Sequence, residues 1–187
     1  MKKLYLLCFV ICAFWGCTSK NDYADIFKNP DLFSKTVYQL NGVVMGNNFS
    51  PIVASRNYLY ASVAAYEVIA AGYPNHYRSL AGQVNGLPAL PKPETDKKID
   101  FEFASLLAYC NLGSSVTFPE GSMDEYVDSL KKLATDHGMP SDMLKNSVAF
   151  SDTISEAILA WSKKDNYAQT RSSEKYSVTD EPGRWVP

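Results

Sequence analysis

The two histidines are the first residues to consider for chemistry, because imidazole both binds metals and exchanges protons near neutral pH. His76 and His137 are the only histidines in the 187-residue sequence, and neither has the spacing of a zinc site or an H-E-x-x-H helix. His76 lies in a proline-rich loop, where we expect an exposed or capping role. His137 precedes Gly138 at a predicted helix end, where a protonated imidazole suits the helix dipole. The sequence therefore predicts no metal site.

Other nucleophiles and charged groups also lack a catalytic setting. There is no G-x-S-x-G elbow and no glycine-rich phosphate loop before a lysine. Cys110 stands in the apolar stretch FASLLAYCNLG, where a buried, small apolar side chain is expected. The acidic pairs Asp124/Glu125 and Glu174/Asp180 are typical of a solvated face. We therefore predict no catalytic, cofactor-binding or metal-binding residue in this sequence.

One apolar stretch, SPIVASRNYLYASVAAYEVIAAG, carries two charged residues, Arg56 and Glu67. On a helix they fall on nearly the same stripe but about 16 Å apart along the axis. They cannot pair with each other, so each needs its own partner. We expect neighbouring helices or helix ends to supply these partners. The alternative, that both residues face a site, stays open from the sequence.

The elements that would position these residues are all helical. Apolar periodicity and end signals such as Asn29-Pro30 and Ser50-Pro51 predict five helices and no strand. Ser122 with Glu125 is typical of a capping box. The fold class is therefore an all-α bundle of about five helices. These run over about Pro30–Met45, Pro51–Gly72, Lys97–Asn111, residues 121–138 and Ser141–Lys164. A long loop follows Gly72, and its Leu80, Leu87 and Leu90 are expected to pack across a surface.

The N-terminus predicts export. Two lysines, an apolar run too short to span a membrane, and Gly16 before Cys17 follow the layout of a bacterial lipoprotein signal. We expect residues 1–16 to be removed, Cys17 to carry lipid, and residues 17–29 to form a polar tether to the cell-envelope membrane. A plain signal peptide or an uncleaved anchor is the alternative. The net charge of −2 excludes the basic patch that nucleic-acid binding needs.

Two separated stretches resemble one protein family. WSKKDNYAQTRSSEKYSVTDEPGRWVP resembles the vanadium-dependent haloperoxidase relatives of the type 2 phosphatidic acid phosphatase superfamily, in their exported bacterial branch. The pattern is W-x-x-x-D, then D-x-Y-x-x-T, then a tyrosine followed by P-G-x-W-x-P. The early stretch SPIVASRNYLYASVAAYEVI is similar to that family's early helix. The matching residues are Trp161, Asp165, Tyr167, Thr170, Tyr176, Pro182, Gly183, Trp185 and Pro187, together with Ala54, Ser55, Arg56, Tyr60, Ala64, Tyr66 and Glu67.

The resemblance implies a helical bundle with a vanadate or phosphate pocket built from three motifs in the C-terminal half. These are K-x(6)-R-P, a serine-glycine-histidine segment and R-x(5)-H, and none of them occurs here. We therefore expect residues 30–187 to be an N-terminal helical half, cut before the catalytic half and inactive alone. Vanadate is expected only where that other half is present.

Several alternatives stay open. The chain's partner would be its own C-terminal half or a second chain, with a homodimer also open. A stand-alone helical lipoprotein, acting as a binding or structural module, is the other reading. The sequence does not choose between peroxidase and phosphatase chemistry.

Overall fold

The structure is a computed structural model that describes residues 21–179 and 181–186. Over these residues the chain forms helices and no strand, which confirms the all-α prediction. The five predicted helices are present, with a further short helix at either end of the series. The helices are α1 (Tyr23–Lys28), α2 (Pro30–Gly46), α3 (Pro51–Gly72), α4 (Phe101–Ser115), α5 (Asp124–Asp136), α6 (Ser141–Ser162) and α7 (Tyr167–Ser172).

Local capping chemistry sets two of the helix starts. The Asn29 side chain accepts a hydrogen bond from the Asp31 N–H at 3.0 Å, ahead of Pro30, as predicted. Helix α4 begins at Phe101 rather than near Lys97, because the Asp100 carboxylate caps it by accepting from the Phe103 N–H at 2.8 Å. Side-chain capping therefore sets the start of α4, and the start predicted from apolar periodicity was too early in the chain.

The predicted capping box at Ser122 is wrong. Helix α5 begins at Asp124, and no side chain caps its first turn. The Ser122 hydroxyl instead lies 3.1 Å from the Thr117 hydroxyl in the preceding connection. A hydrogen bond with Thr117, five residues earlier in the chain, has taken the place of the helix cap.

Helix α4 is the centre of the bundle. It packs most extensively against α3 and next against α6, and its side chains are shared by two buried clusters. Phe103, Leu107, Tyr109 and Cys110 join the cluster with α1, α2 and α5. Ala104, Ala108 and Leu112 join the cluster with α3, α6 and the loop after α3. A helix buried on most sides must be largely apolar, and most of the buried residues of α4 are apolar, with Ser105 and Ser114 as its buried polar residues.

Helix α3 is less enclosed than its apolar sequence suggests. Its inner face is fully buried at Ala61, Ala64 and Val68, but Ile52 is 83% exposed and Leu59 is 53% exposed. A helix that is apolar nearly all round is typically buried on every face, but the described residues cover only part of α3.

The segment expected to be a tether differs from that prediction. Residues Tyr23–Lys28 form α1, and the ring of Phe27 is buried, with its centroid 4.8 Å from that of Phe103. The Asp22 carboxylate lies 2.6 Å from His137 Nδ1 at the end of α5. This part of the chain therefore packs on the bundle. The predicted signal segment, 1–16, and Cys17 lie outside the described residues.

The loop after α3 packs as expected. Leu87 is buried, and Leu80 and Leu90 pack on the same cluster as α3 and α6. Its two glycines Gly82 and Gly86 have positive φ angles of 78° and 73°, which only glycine adopts readily.

No helix within 21–179 and 181–186 is long and apolar enough to cross a membrane.

Candidate functional site

The most connected polar group lies where the start of α3 meets the end of α6. Arg56 Nε donates to Asp165 Oδ2 at 2.6 Å, and the Tyr60 hydroxyl donates to the same oxygen at 3.0 Å. The other carboxylate oxygen accepts from the Tyr167 N–H at 2.9 Å. Asp165 thus joins α3, α6 and α7.

Aromatic rings enclose the arginine. The guanidinium carbon of Arg56 lies 4.9 Å from the centroid of the Tyr60 ring and 4.4 Å from that of Tyr167, both within cation–π range. Trp161 packs edge-on to Tyr60, with centroids 5.2 Å apart, and its indole N–H donates to the Asn85 carbonyl at 3.3 Å. We call Arg56, Tyr60, Trp161, Asp165 and Tyr167 the arginine cluster.

The charges of the arginine cluster are matched. Partial burial alone would raise the pKa of Asp165, but the hydrogen bonds from Arg56, Tyr167 and Tyr60 and the nearby positive charge outweigh it and lower that pKa. Burial, with the neighbouring carboxylate, raises the pKa of Tyr60 to about 12. At neutral pH the cluster therefore holds an ionised carboxylate and a protonated phenol. The cluster holds the helices together, and it offers no free base or nucleophile.

Residues far apart in the sequence meet in the arginine cluster. Arg56 and Tyr60 come from the early stretch singled out in the sequence, and the other three come from the C-terminal stretch. The expectation that a neighbouring element would supply the partner of Arg56 is confirmed. That this partner is Asp165 was not predicted, because nothing local to either residue indicates the other.

Glu67 has a partner separate from that of Arg56, as predicted, but the loop after α3 supplies it rather than a neighbouring helix or a helix end. It is 3% exposed, and its two carboxylate oxygens accept from the Ser79 hydroxyl at 2.7 Å and the Leu80 N–H at 2.6 Å. This buried carboxylate fastens the loop after α3 onto the helix. Arg56 and Glu67 therefore do not face a common site.

Two cavities adjoin these groups. One of about 310 Å³ lies beside the arginine cluster and is lined by Tyr60, Asn85, Gly86, Trp161, Lys164 and Asp165. A larger one of about 560 Å³ lies between α3 and the loop that Glu67 holds. Sequence reasoning missed the larger cavity, because its walls come from a loop without periodicity. The many prolines of that loop were the one sequence feature that indicated a rigid surface there.

Neither the histidines nor the thiol lines either cavity. His76 is exposed on the loop, and His137 is engaged with Asp22. Cys110 is fully buried, and burial raises its pKa to about 12, so the thiol is neutral and shielded, as expected. Among the described residues, no group of three or more His, Cys, Asp or Glu side chains could hold a metal ion.

The C-terminal turn also forms a local pair. The Tyr176 hydroxyl donates to the Trp185 carbonyl at 2.7 Å, and the two rings lie 6.1 Å apart. Both side chains are more than half exposed. Pro187, the last residue of the quoted motif, lies outside the described residues.

The all-α bundle, in which the arginine cluster joins the early stretch to the C-terminal stretch, resembles part of the haloperoxidase fold. The chain is similar to a crystal structure described as the first bacterial vanadium-dependent iodoperoxidase, with 40% identity and a TM-score of 0.76. The match covers 84% of this chain and 38% of that one, so this chain spans well under half of the relative's length. The haloperoxidase resemblance is thereby confirmed. No family profile and no curated protein matches the chain.

Proposed function

We propose that this chain is the helical scaffold part of an iodoperoxidase-like protein. The observation that carries this proposal is a 40% identical match that spans only 38% of the relative. The motifs expected for an oxyanion pocket are absent from the sequence. Under the proposal, the vanadate pocket belongs to polypeptide outside the matched region, and the matched region is the N-terminal half.

The described side chains support a scaffold role rather than an oxyanion site. A bound oxyanion needs fixed cationic donors and, in this family, an imidazole. Arg56 is already paired with Asp165, and Asp22 holds His137. His76 lies exposed in a loop away from the arginine cluster. We therefore expect the chain alone to hold no vanadate and to oxidise no halide.

An exposed apolar surface supports a polypeptide partner. Along α2 and α3, four large side chains reach into solvent although they are apolar or aromatic: Tyr38 (74% exposed), Met45 (71%), Ile52 (83%) and Leu59 (53%). Such side chains scattered singly are ordinary, but on each helix the two are seven residues apart and so share one face, which favours an interaction surface. The partner would be the C-terminal half or a second chain, and a second copy of this chain is the remaining case.

The proposal includes export as a lipoprotein with Cys17 lipidated. Its support is the N-terminal sequence pattern alone. Metabolic labelling with a fatty-acid analogue should label the wild-type chain in bacterial cells and leave Cys17→Ser unlabelled. A labelled Cys17→Ser variant, or an unlabelled wild type, would contradict the lipoprotein assignment.

The activity test uses the purified chain with vanadate, peroxide and iodide, followed by formation of triiodide, and then with bromide. A full-length bacterial vanadium-dependent iodoperoxidase under identical conditions is the positive control. The proposal expects no turnover above the rate without protein. Vanadate-dependent turnover by the chain itself would overturn it.

A second candidate function is a stand-alone helical binding module. The two buried clusters within the described residues favour it, because they give the helices a core of their own. This candidate expects cooperative thermal unfolding and little binding of the dye ANS to the native chain. Strong ANS binding or aggregation would instead favour the scaffold, with its uncovered apolar surface.

A further inference from the structure

We propose that the cavity between α3 and the following loop binds a small amphipathic carboxylate, an anion with an apolar tail. Its volume of about 560 Å³ falls in the range typical of small-ligand sites. This inference does not depend on the scaffold role proposed above, because neither the arginine cluster nor halide chemistry enters it.

The walls of the cavity are mostly apolar. Helix α3 contributes Ala70 and Ala71, helix α6 contributes the fully buried Ile154, and the loop contributes Ala89 and Leu90. Three loop prolines also line it. A hydrocarbon chain in this space would replace water along these walls, which is favourable in proportion to the apolar area covered.

The loop that forms the outer wall is held in place before any ligand arrives. Glu67 accepts hydrogen bonds from Ser79 and from the Leu80 N–H, and the Tyr66 hydroxyl donates to the Arg78 carbonyl at 2.9 Å. The prolines restrict the backbone further. Binding therefore does not have to order the loop, which reduces its entropic cost.

The charged groups of the lining favour an anion. Arg78 and Lys92 both line the cavity and are exposed, and no acidic side chain pairs with either one in the described part of the chain. The third charged group, Glu67, already uses both oxygens on the loop. A guanidinium and an ammonium beside an apolar cavity match a carboxylate with a hydrocarbon tail.

Other ligand types fit the lining less well. An inorganic anion would leave the apolar walls in contact with water. A neutral apolar molecule would gain nothing from Arg78 and Lys92, and a cationic amphiphile would be repelled by them. The decisive test therefore compares the binding of amphiphiles that share a tail and differ in the charge of the head group.

Isothermal titration calorimetry of the purified chain with octanoate provides that test, with octanol and octyltrimethylammonium as head-group controls. We expect octanoate to bind with a Kd on the order of 1 mM or tighter. Octanol should bind about tenfold more weakly, and the cationic amphiphile should not bind. No octanoate binding, or equal binding of octanoate and octanol, would overturn the proposal.

Variants locate the binding. The double variant Arg78→Gln, Lys92→Gln should weaken octanoate about tenfold, since two exposed charge interactions are lost. The matched control, Lys145→Gln with Arg171→Gln, removes two exposed charges elsewhere and should stay within about twofold of wild type.

A third variant fills the cavity. Ala89→Trp places a large ring in this space from an exposed loop position and should abolish binding. Circular dichroism should show unchanged helix content in every variant. Octanoate binding that survives Ala89→Trp, or that is as tight in the Arg78, Lys92 double variant as in wild type, would place the ligand elsewhere and overturn the assignment.

Discussion

The ion pair between Arg56 and Asp165 should contribute measurably to stability, and a double-mutant cycle with Arg56→Gln and Asp165→Asn can isolate its energy. The two side chains are 19% and 26% exposed and meet at 2.6 Å. Fully exposed pairs contribute about 0.2–1 kcal/mol, whereas hydrogen bonds to charged groups contribute about 1.5–3 kcal/mol. Because the Arg56–Asp165 pair is only partly exposed to solvent, its coupling energy should lie between these two ranges, at about 1–1.5 kcal/mol.

Asp165→Asn alone should cost more than the coupling energy. The carboxylate also accepts from the Tyr60 hydroxyl and the Tyr167 N–H, and both bonds weaken when its charge is removed. We expect a loss of about 2 kcal/mol in the free energy of unfolding, or about 4–8 °C in Tm for a chain of this size. Urea unfolding followed by circular dichroism at neutral pH measures it. A coupling energy indistinguishable from zero would refute the reasoning.

An exposed pair of the same length serves as the control. Lys132 Nζ and Asp136 Oδ2 are also 2.6 Å apart, but their side chains are 74% and 53% exposed. Their coupling should not exceed about 0.5 kcal/mol, as is usual for an i,i+4 pair on a helix. Equal coupling in the two pairs would show that partial burial and the aromatic enclosure of Arg56 do not matter.

The pH dependence gives a second check on Asp165. Its pKa is lowered in the folded state, so its stabilising contribution is fully present above the ordinary aspartate pKa of about 3.9. That contribution is lost as the pH falls through the lowered folded-state pKa. The stability gap between wild type and Asp165→Asn should therefore close in acid. Asp100 and Asp152, whose pKa values burial raises, titrate in both proteins and cancel in the comparison.

The remaining predictions concern the parts of the bundle away from the arginine cluster. Phe27→Ala should destabilise the chain by about 3–5 kcal/mol in urea unfolding, because a buried ring packed on Phe103 is lost; an unchanged midpoint would mean that residues 23–28 are a tether after all. Glu67→Gln should speed proteolysis within the loop near Ser79, since a neutral amide holds it less well; cleavage at the wild-type rate would argue against anchoring. Cys110 should resist alkylation in the native state, as mapped by mass spectrometry, and react once the chain is unfolded in urea; rapid native labelling would contradict its burial.

Helix positions and fold class could be read from the sequence because their causes are local. The start at Asn29-Pro30 depends on side-chain capping and on the fixed φ of proline, both within a few residues. The same local reasoning failed at Ser122, whose hydroxyl lies beside Thr117 instead of capping α5. The motif resemblance also needed only residue order, and the iodoperoxidase match confirmed it.

The sequence by itself determined that Arg56 and Glu67 could not pair with each other, since helical geometry separates them along one axis. Only the tertiary structure decided that Asp165, which is 109 positions away from Arg56, supplies the counter-charge. It also decided that Phe27 docks on α4 and that a cavity opens beside α3. These features depend on how separate helices and loops pack against one another. Periodicity and propensity describe each segment alone, so they do not specify which side chains of distant segments meet.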